Sequence, residues 1–333
     1  MIYGKVPMTF EATRRELVAA GFATAALAAL PAPAQTTRLI PQRPGSRVIV
    51  DNDFAGDPDG LVALTHQLLA PKTRVVLATS SLLDAKMSAG EHPNGMTAAA
   101  GARTARELVE RLKLDRPIPI AVGREKPSTM PAAASPAAQA IVAEAMRDDP
   151  LPLVFTCGGP LTNLAEALAL EPRIAARMSL VWIGGGSYPK GGWEYNLATD
   201  VEAARAVIER SKMPVMQVPQ SAYRQMQISV AELDADVRAT SDFGAWLYDR
   251  FTNPPPFIDV GGAWPMGDTP LVLATALPTE SSRIREQLAR HIKNDCTYGQ
   301  ELAGRRIRVF ETVDVRLAWG DFLARLRLHA AGK

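Results

Sequence analysis

Val48-Ile49-Val50-Asp51-Asn52-Asp53-Phe54-Ala55-Gly56-Asp57-Pro58-Asp59-Gly60 is the stretch that decides how this chain is read. Its apolar, β-branched beginning reads as a strand. The strand delivers four carboxylates (Asp51, Asp53, Asp57 and Asp59) within nine residues, and an apolar helical pattern over residues 61–69 follows at once. Carboxylates crowded at a strand end repel one another unless a cation neutralises them. The stretch therefore predicts a hard-cation site at the mouth of an α/β sheet.

Working outward, strand-like and helix-like patterns alternate, which predicts βα units and a largely parallel sheet. Strands are expected over residues 47–51, 74–79, 118–122, 152–156, 180–183, 214–218 and 307–311. Helices are expected over residues 61–70, 97–114, 138–147, 164–170, 201–210, 269–277 and 319–328, with further helical pieces at 231–237 and 243–251. Pro117 and Pro119 place the third strand at an edge or an end. Thr162 or Asn163, Asp200 and Asp268 are candidate helix caps, and residues 261–267 read as a loop. The expected architecture is an open, mostly parallel, doubly wound (Rossmann-like) sheet flanked by helices.

Ahead of this fold, Arg14-Arg15 precedes an apolar, alanine-rich run over residues 17–30, and Ala32-Pro33-Ala34 supplies a small-x-small cleavage signal. Residues 1–34 are expected to be a twin-arginine signal peptide, and residues 35–333 a single domain. Met8 is the alternative start. The mature protein is then expected in the periplasm or secreted, free of the membrane after cleavage. A net charge of +2, with Lys and Arg scattered, argues against a nucleic-acid partner. Two cysteines make no disulfide framework, and four histidines without metal-ligand spacing argue against zinc.

Three polar or glycine-rich clusters directly follow predicted strands, at residues 51–60, 156–163 and 184–196. Ligands of open α/β sheets bind beyond the carboxyl ends of the strands, so these clusters should converge on one crevice. Asp268, opening a helix after a Gly/Trp loop, is a candidate to join them. All-oxygen donors suit Ca²⁺ or Mg²⁺ better than zinc, and a cation there lowers the pKa of a water and positions it as nucleophile. An EF-hand loop fits poorly, because Ala55 and Val62 would occupy its fifth and twelfth positions and a strand precedes it. A haloacid-dehalogenase-type phosphatase also fits poorly: Gly267-Asp268 lacks the second aspartate that follows in that family.

The chain resembles the inosine/uridine-preferring nucleoside hydrolases. The matches, in order, are Asp51-Asn52-Asp53 with its acidic continuation, Gly159-Pro160-Leu161-Thr162-Asn163, Gly184-Gly185-Gly186, Glu194-Tyr195-Asn196 and Gly267-Asp268. Asp200-Val201-Glu202-Ala203-Ala204 also resembles the family's Asp-Pro-Glu-Ala-Ala. The resemblance implies metal-dependent hydrolysis of the N-glycosidic bond of a ribonucleoside or related N-ribosyl compound, with Ca²⁺ as cofactor. It implies Asp53 as catalytic base and metal ligand, and Asp268 and a carbonyl near Cys157 or Gly158 as further ligands. Asp57 or Asp59 would complete the ligand set. Asp59, Glu194 and Asn196 would hold ribose hydroxyls, with Asp51 at the same site orienting the loop and counted among the substrate-binding group. The implied partner is a small nucleoside-like molecule, and a homo-oligomer would be in line with the family.

The chain departs from the family's pattern in three places. Aligning the helix start puts the family's paired Asp-Asp on Asp59-Gly60, with Asp57 as the spare carboxylate. The family's Gly-Asn after the second strand reads Ser80-Ser81. Gly267 stands where a histidine often serves as acid for the leaving base, which leaves Tyr223, Trp264 and His92 as candidate donors whose plainer roles are packing or surface. The alternatives are a metal- and sugar-binding protein or inactive relative, and a metal-dependent hydrolase of another glycosyl or phosphoryl substrate.

Overall fold

The computed structural model describes residues 40–84, 95–127, 133–254 and 259–332. The expected signal peptide and His92 lie outside the described residues. In chain order the elements are β1 (Ser46–Asn52), α1 (Asp59–Leu69), β2 (Thr73–Ser80), α2 (Thr97–Leu112), β3 (Ile120–Val122), α3 (Pro136–Met146), β4 (Leu153–Cys157) and α4 (Thr162–Leu170). There follow β5 (Met178–Ile183), α5 (Tyr195–Thr199), α6 (Val201–Arg205), β6 (Val215–Val218), α7 (Gln220–Tyr223), β7 (Gln227–Ser229), α8 (Val230–Glu232) and α9 (Asp242–Asp249). The chain closes with β8 (Ala263–Pro265), α10 (Pro270–Ala276), β9 (Arg283–Ile292), β10 (Tyr298–Thr312) and α11 (Val315–Ala330).

Eight strands form one sheet in the order β3-β2-β1-β4-β5-β6-β10-β9, parallel except for the β9–β10 pair. The chain runs outward from β1 through β2 to β3, then returns to lay β4 on the other side of β1. That reversal opens a crevice beyond the carboxyl ends of β1 and β4, where open α/β sheets bind ligands.

The apolar run of β1 is buried along its whole length because helices cover both faces of the sheet. Val48 and Val50 pack into one core with Leu64 of α1, Leu108 of α2 and Phe322 of α11. Ile49, pointing the other way, packs with Ile141 of α3 and Leu164 of α4. At the opposite end of β1, the buried Arg47 is bonded by Glu144 and by the Leu151 carbonyl. A buried guanidinium needs such partners, and they fix that end of the strand. Residues from Gln42 onward make up one compact unit. Among the described residues, no helix is long and apolar enough to cross a membrane.

Several expectations need correction. β9 was not foreseen, and β10 is 15 residues long where five were expected, because an edge hairpin dense in arginine and glutamate hides its alternation. The loop expected at residues 261–267 contains β8, which pairs with β7 in a small antiparallel sheet. Thr162 and Asn163 do not cap α4. The helix already begins at Thr162, and both side chains reach outward, Thr162 to Asp200 and Asn163 to Asp51. Asp268 does not cap α10 either, because its carboxylate is engaged elsewhere. Asp200 does cap α6, accepting the Ala203 N–H at 3.0 Å. The proline-flanked third strand is indeed an edge, only three residues long.

Candidate active site

The carboxyl end of β1 supplies the first groups of the crevice. Asp51 is fully buried and faces the protein: Thr79 Oγ1 donates to its Oδ2 at 2.6 Å, and Asn163 Nδ2 to the same oxygen at 2.8 Å. The Cys157 thiol lies 3.5 Å from its Oδ1. Burial pushes the Asp51 carboxyl up to about 6, against the pull of these donors. One carboxylate thus ties together the ends of β1, β2 and β4 and the first turn of α4.

Asp53, Asp59 and Asp268 are buried beyond it. Burial, then repulsion from Asp59, Asp57 and Asp51, drives the Asp53 carboxyl well above the ordinary carboxylate range. Asp59, the first residue of α1, is raised by burial and then by Asp268 and Asp57. Asp268 is raised by burial and by Asp53, Asp57 and Glu194, against the pull of its bond from Asn52. Asp57 is accessible to solvent yet recessed enough among protein atoms for desolvation to raise its carboxyl too. The backbone N–H of Asp268 donates to Asp59 Oδ2 at 3.1 Å, which joins the late loop to the start of α1.

Asn52, the residue between Asp51 and Asp53, is part of this construction. Its Nδ2 donates to Asp268 Oδ2 at 2.7 Å, and its Oδ1 is buried with no hydrogen-bond partner among the described residues. Glycine is needed on two sides of this contact. A Cβ at Gly158 would stand 2.2 Å from Asn52 Nδ2 and 2.6 Å from Asp268 Oδ2, and one at Gly60 would stand 2.5 Å from Asn52 Oδ1.

On the β5 side, Glu194 is buried at the start of α5. Its Oε2 accepts N–H bonds from Gly185 (2.7 Å) and Leu197 (3.0 Å). Its Oε1 accepts the Asn196 N–H (3.2 Å) and the Tyr223 hydroxyl (3.1 Å). Gly185 carries φ +82°, a left-handed conformation that aims its N–H at the carboxylate and that glycine adopts readily. Asn196 Nδ2 donates to the carbonyls of Ile183 (2.9 Å) and Gly158 (3.2 Å), so the β4 and β5 ends are linked through it.

The residues at 51, 53, 57, 59, 158, 194, 196 and 268 are therefore brought to one crevice. The cluster is all-oxygen and anionic. Burial is the largest influence on each of its carboxyls, other carboxylates raise Asp53, Asp59 and Asp268 further, and no lysine or arginine is among the causes. That charge pattern, with the unpartnered Asn52 Oδ1 beside it, fits a hard cation in kind and in sign. Among the described residues, no three acidic, thiol or imidazole groups already surround a common point, so the cluster is not a finished ligand shell. The Gly158 carbonyl keeps one lone pair after its bond from Asn196. Of the candidate donors, Tyr223 faces the crevice through Glu194, while Trp264 is buried in the core against Phe251.

Sequence reasoning missed Asn52 and Thr79. The available signal for Asn52 was a polar side chain in a run buried on both faces, which needs a partner inside the protein.

The family described as inosine-uridine preferring nucleoside hydrolase matches residues 48–320. Among curated proteins, the chain is similar to the pyrimidine-specific ribonucleoside hydrolase RihA of Salmonella arizonae, 31% identical over 98 residues. That match spans 28% of this chain and 31% of the relative, less than a third of the relative's length. Among solved structures, a plant nucleoside hydrolase (PpNRh1) superposes with a TM-score of 0.65 at 17% identity, covering 85% of this chain and 99% of that one. The inosine-uridine preferring nucleoside hydrolase of Bacillus anthracis superposes with a TM-score of 0.64 at 18% identity, again covering 85% and 99%. At these identities the structural likeness is one of fold.

Proposed function

Because this chain belongs to the inosine-uridine preferring nucleoside hydrolase family, we propose that it is an N-glycosidase that hydrolyses ribonucleosides or related N-ribosyl compounds with the help of a bound Ca²⁺. The observation that carries this reading is the buried carboxylate cluster Asp53, Asp59 and Asp268 at the switch point of the sheet, with Glu194 facing it. Asp53, Asp268, the Gly158 carbonyl and one or both of Asp57 and Asp59 would hold the cation. When bound, it supplies Lewis acidity toward a water and balances the carboxylate charge.

The chain's own residues account for the rest. Asp53 takes a proton from the attacking water on a carboxylate oxygen. Burial and the neighbouring carboxylates hold its carboxyl high in the cation-free protein, and a bound cation would favour the ionised form that a base requires. Asn52 holds Asp268 Oδ2 and so orients the carboxylate that would help hold the cation. Asp51 positions the first loop through Thr79 and Asn163. Glu194, Asn196 and Asp59 offer oxygens and an amide to ribose hydroxyls. As the base departs, positive charge develops on the ribose ring, and buried carboxylates stabilise that charge electrostatically.

The test is release of reducing sugar from a panel of purine and pyrimidine nucleosides, with Ca²⁺ and with excess chelator. The reading expects turnover of at least one nucleoside, lost on chelation and restored by Ca²⁺. No release from any nucleoside, with ribose still bound, would favour a metal- and sugar-binding protein instead. Export by the twin-arginine route is a separate proposal, supported by Arg14-Arg15, the alanine-rich run and Ala32-Pro33-Ala34.

A further inference from the structure

Hydrolysis of an N-glycosidic bond leaves the bonding electron pair on the departing base, and a hydrogen-bond donor on that side lowers the barrier. Two phenols border the carboxylate cluster. Tyr195 lies near Asp53, on the side where water is to be deprotonated, and its oxygen accepts the Asp84 N–H at 3.0 Å. Tyr223 lies on the other side, on α7, with its hydroxyl 3.1 Å from Glu194 Oε1. Its ring abuts Gly267: a Cβ there would stand 3.0 Å from Tyr223 Cδ2 and 3.4 Å from Asp59 Oδ2. Any larger residue at 267 would crowd both the phenol ring and the Asp59 carboxylate. The bare glycine and the ring are thus a matched pair that brings one O–H to the rim of the sugar site.

We propose that the Tyr223 hydroxyl is the proton donor to the leaving base, an inference that rests on the nucleoside hydrolase reading of the site. Glu194 holds the hydroxyl in place, and rotation about the Cζ–O bond swings its proton from Glu194 to a bound base. In the reaction the water oxygen bonds to C1′ of the ribose and the water proton passes to Asp53. The C1′–N bond breaks with its electron pair on the base, and the base nitrogen system takes the Tyr223 proton. The phenolate then regains a proton through solvent as Asp53 releases its own, so one water is consumed and no redox partner is needed. Burial and the Glu194 carboxylate keep the phenol protonated at neutral pH, the form a donor requires.

The test compares wild type and Tyr223→Phe, both Ca²⁺-loaded, on a nucleoside and on p-nitrophenyl β-D-ribofuranoside, whose leaving group departs as a stable anion. The proposal expects kcat/KM for the nucleoside to fall by about a hundredfold, in the range of a lost general acid. The loss on the nitrophenyl riboside should be at least about tenfold smaller, since that leaving group needs no proton. Equal losses on the two substrates would show that Tyr223 acts only by placing Glu194, and would overturn the proposal. An unchanged nucleoside rate would overturn it as well. Failure of the wild type to turn over either substrate would remove the hydrolase reading and this proposal together.

Discussion

Asn52 and Asp268, 216 residues apart in the chain, meet across the switch point of the sheet with amide nitrogen and carboxylate oxygen 2.7 Å apart. The contact fixes the late loop against the first strand and orients the Asp268 carboxylate. Removing it by Asn52→Ala should weaken Ca²⁺ binding about 10–100-fold, the usual cost of losing a group that orients a ligand. Titration calorimetry on the chelator-stripped protein measures this directly. Unchanged affinity would show that Asp268 needs no such support.

Gly158→Ala should disturb the same contact from the other side. The added Cβ would fall 2.2 Å from Asn52 Nδ2 and 2.6 Å from Asp268 Oδ2, so the two side chains that make the contact must shift. Overpacking of this kind costs about 1–3 kcal/mol. Denaturant unfolding should show that loss, together with weaker Ca²⁺ binding. A variant as stable as wild type would mean that Asn52 and Asp268 make way for the methyl group without cost.

Asp53→Asn keeps the shape of the side chain and, with Ca²⁺ held saturating to offset the lost ligand charge, removes the base. Turnover should fall by about 10²–10⁴-fold, the range for a general base. The substrate KM should change far less, because Glu194, Asn196 and Asp59 still face the sugar. A steady-state comparison decides it, and a variant retaining more than a tenth of wild-type kcat would exclude Asp53 as the base.

The cation-free protein should lose stability as pH rises. The carboxyls of Asp51, Asp53, Asp59 and Asp268 are raised above their unfolded value of 3.8, Asp51 to about 6 and the other three well above 3.8. Above pH 3.8 the folded chain therefore holds more protons than the unfolded one. Stability contributed by these groups is fully present below that pH and is lost as pH rises through the folded-state values. In excess chelator the melting temperature should fall from about pH 5 to pH 8 through this linkage, and Ca²⁺ should flatten the decline by occupying the cluster. A chelated protein that grows more stable over that range would contradict the charge assignment.

The sheet was legible in the sequence because β1, β2, β4, β5 and β6 are short apolar runs, each bounded by glycine, proline or acidic residues. The crevice was legible for the same reason: the clusters after β1, β4 and β5 lie where a parallel sheet must place them. Three features were not legible. β9 is an exposed edge whose Arg283, Arg285, Glu286 and Arg290 follow the needs of solvent and ion pairing, so its sequence carries little apolar alternation. Asn163 and Asp268 look like caps locally, yet each is claimed by a partner from another strand or loop, and tertiary bonds outrank local propensity. Asn52 lay in plain view between two aspartates, but its bond to Asp268 depends on a contact that only the folded chain creates.

A crystal structure of the Ca²⁺-loaded protein with a non-hydrolysable ribose analogue tests the central claim most directly. The account predicts one cation held by Asp53, Asp268 and the Gly158 carbonyl, with ribose hydroxyls on Glu194 and Asn196 and the Tyr223 hydroxyl facing the position of the base. A cation bound away from Asp53 and Asp268, or a sugar bound outside the crevice between β1 and β4, would contradict it.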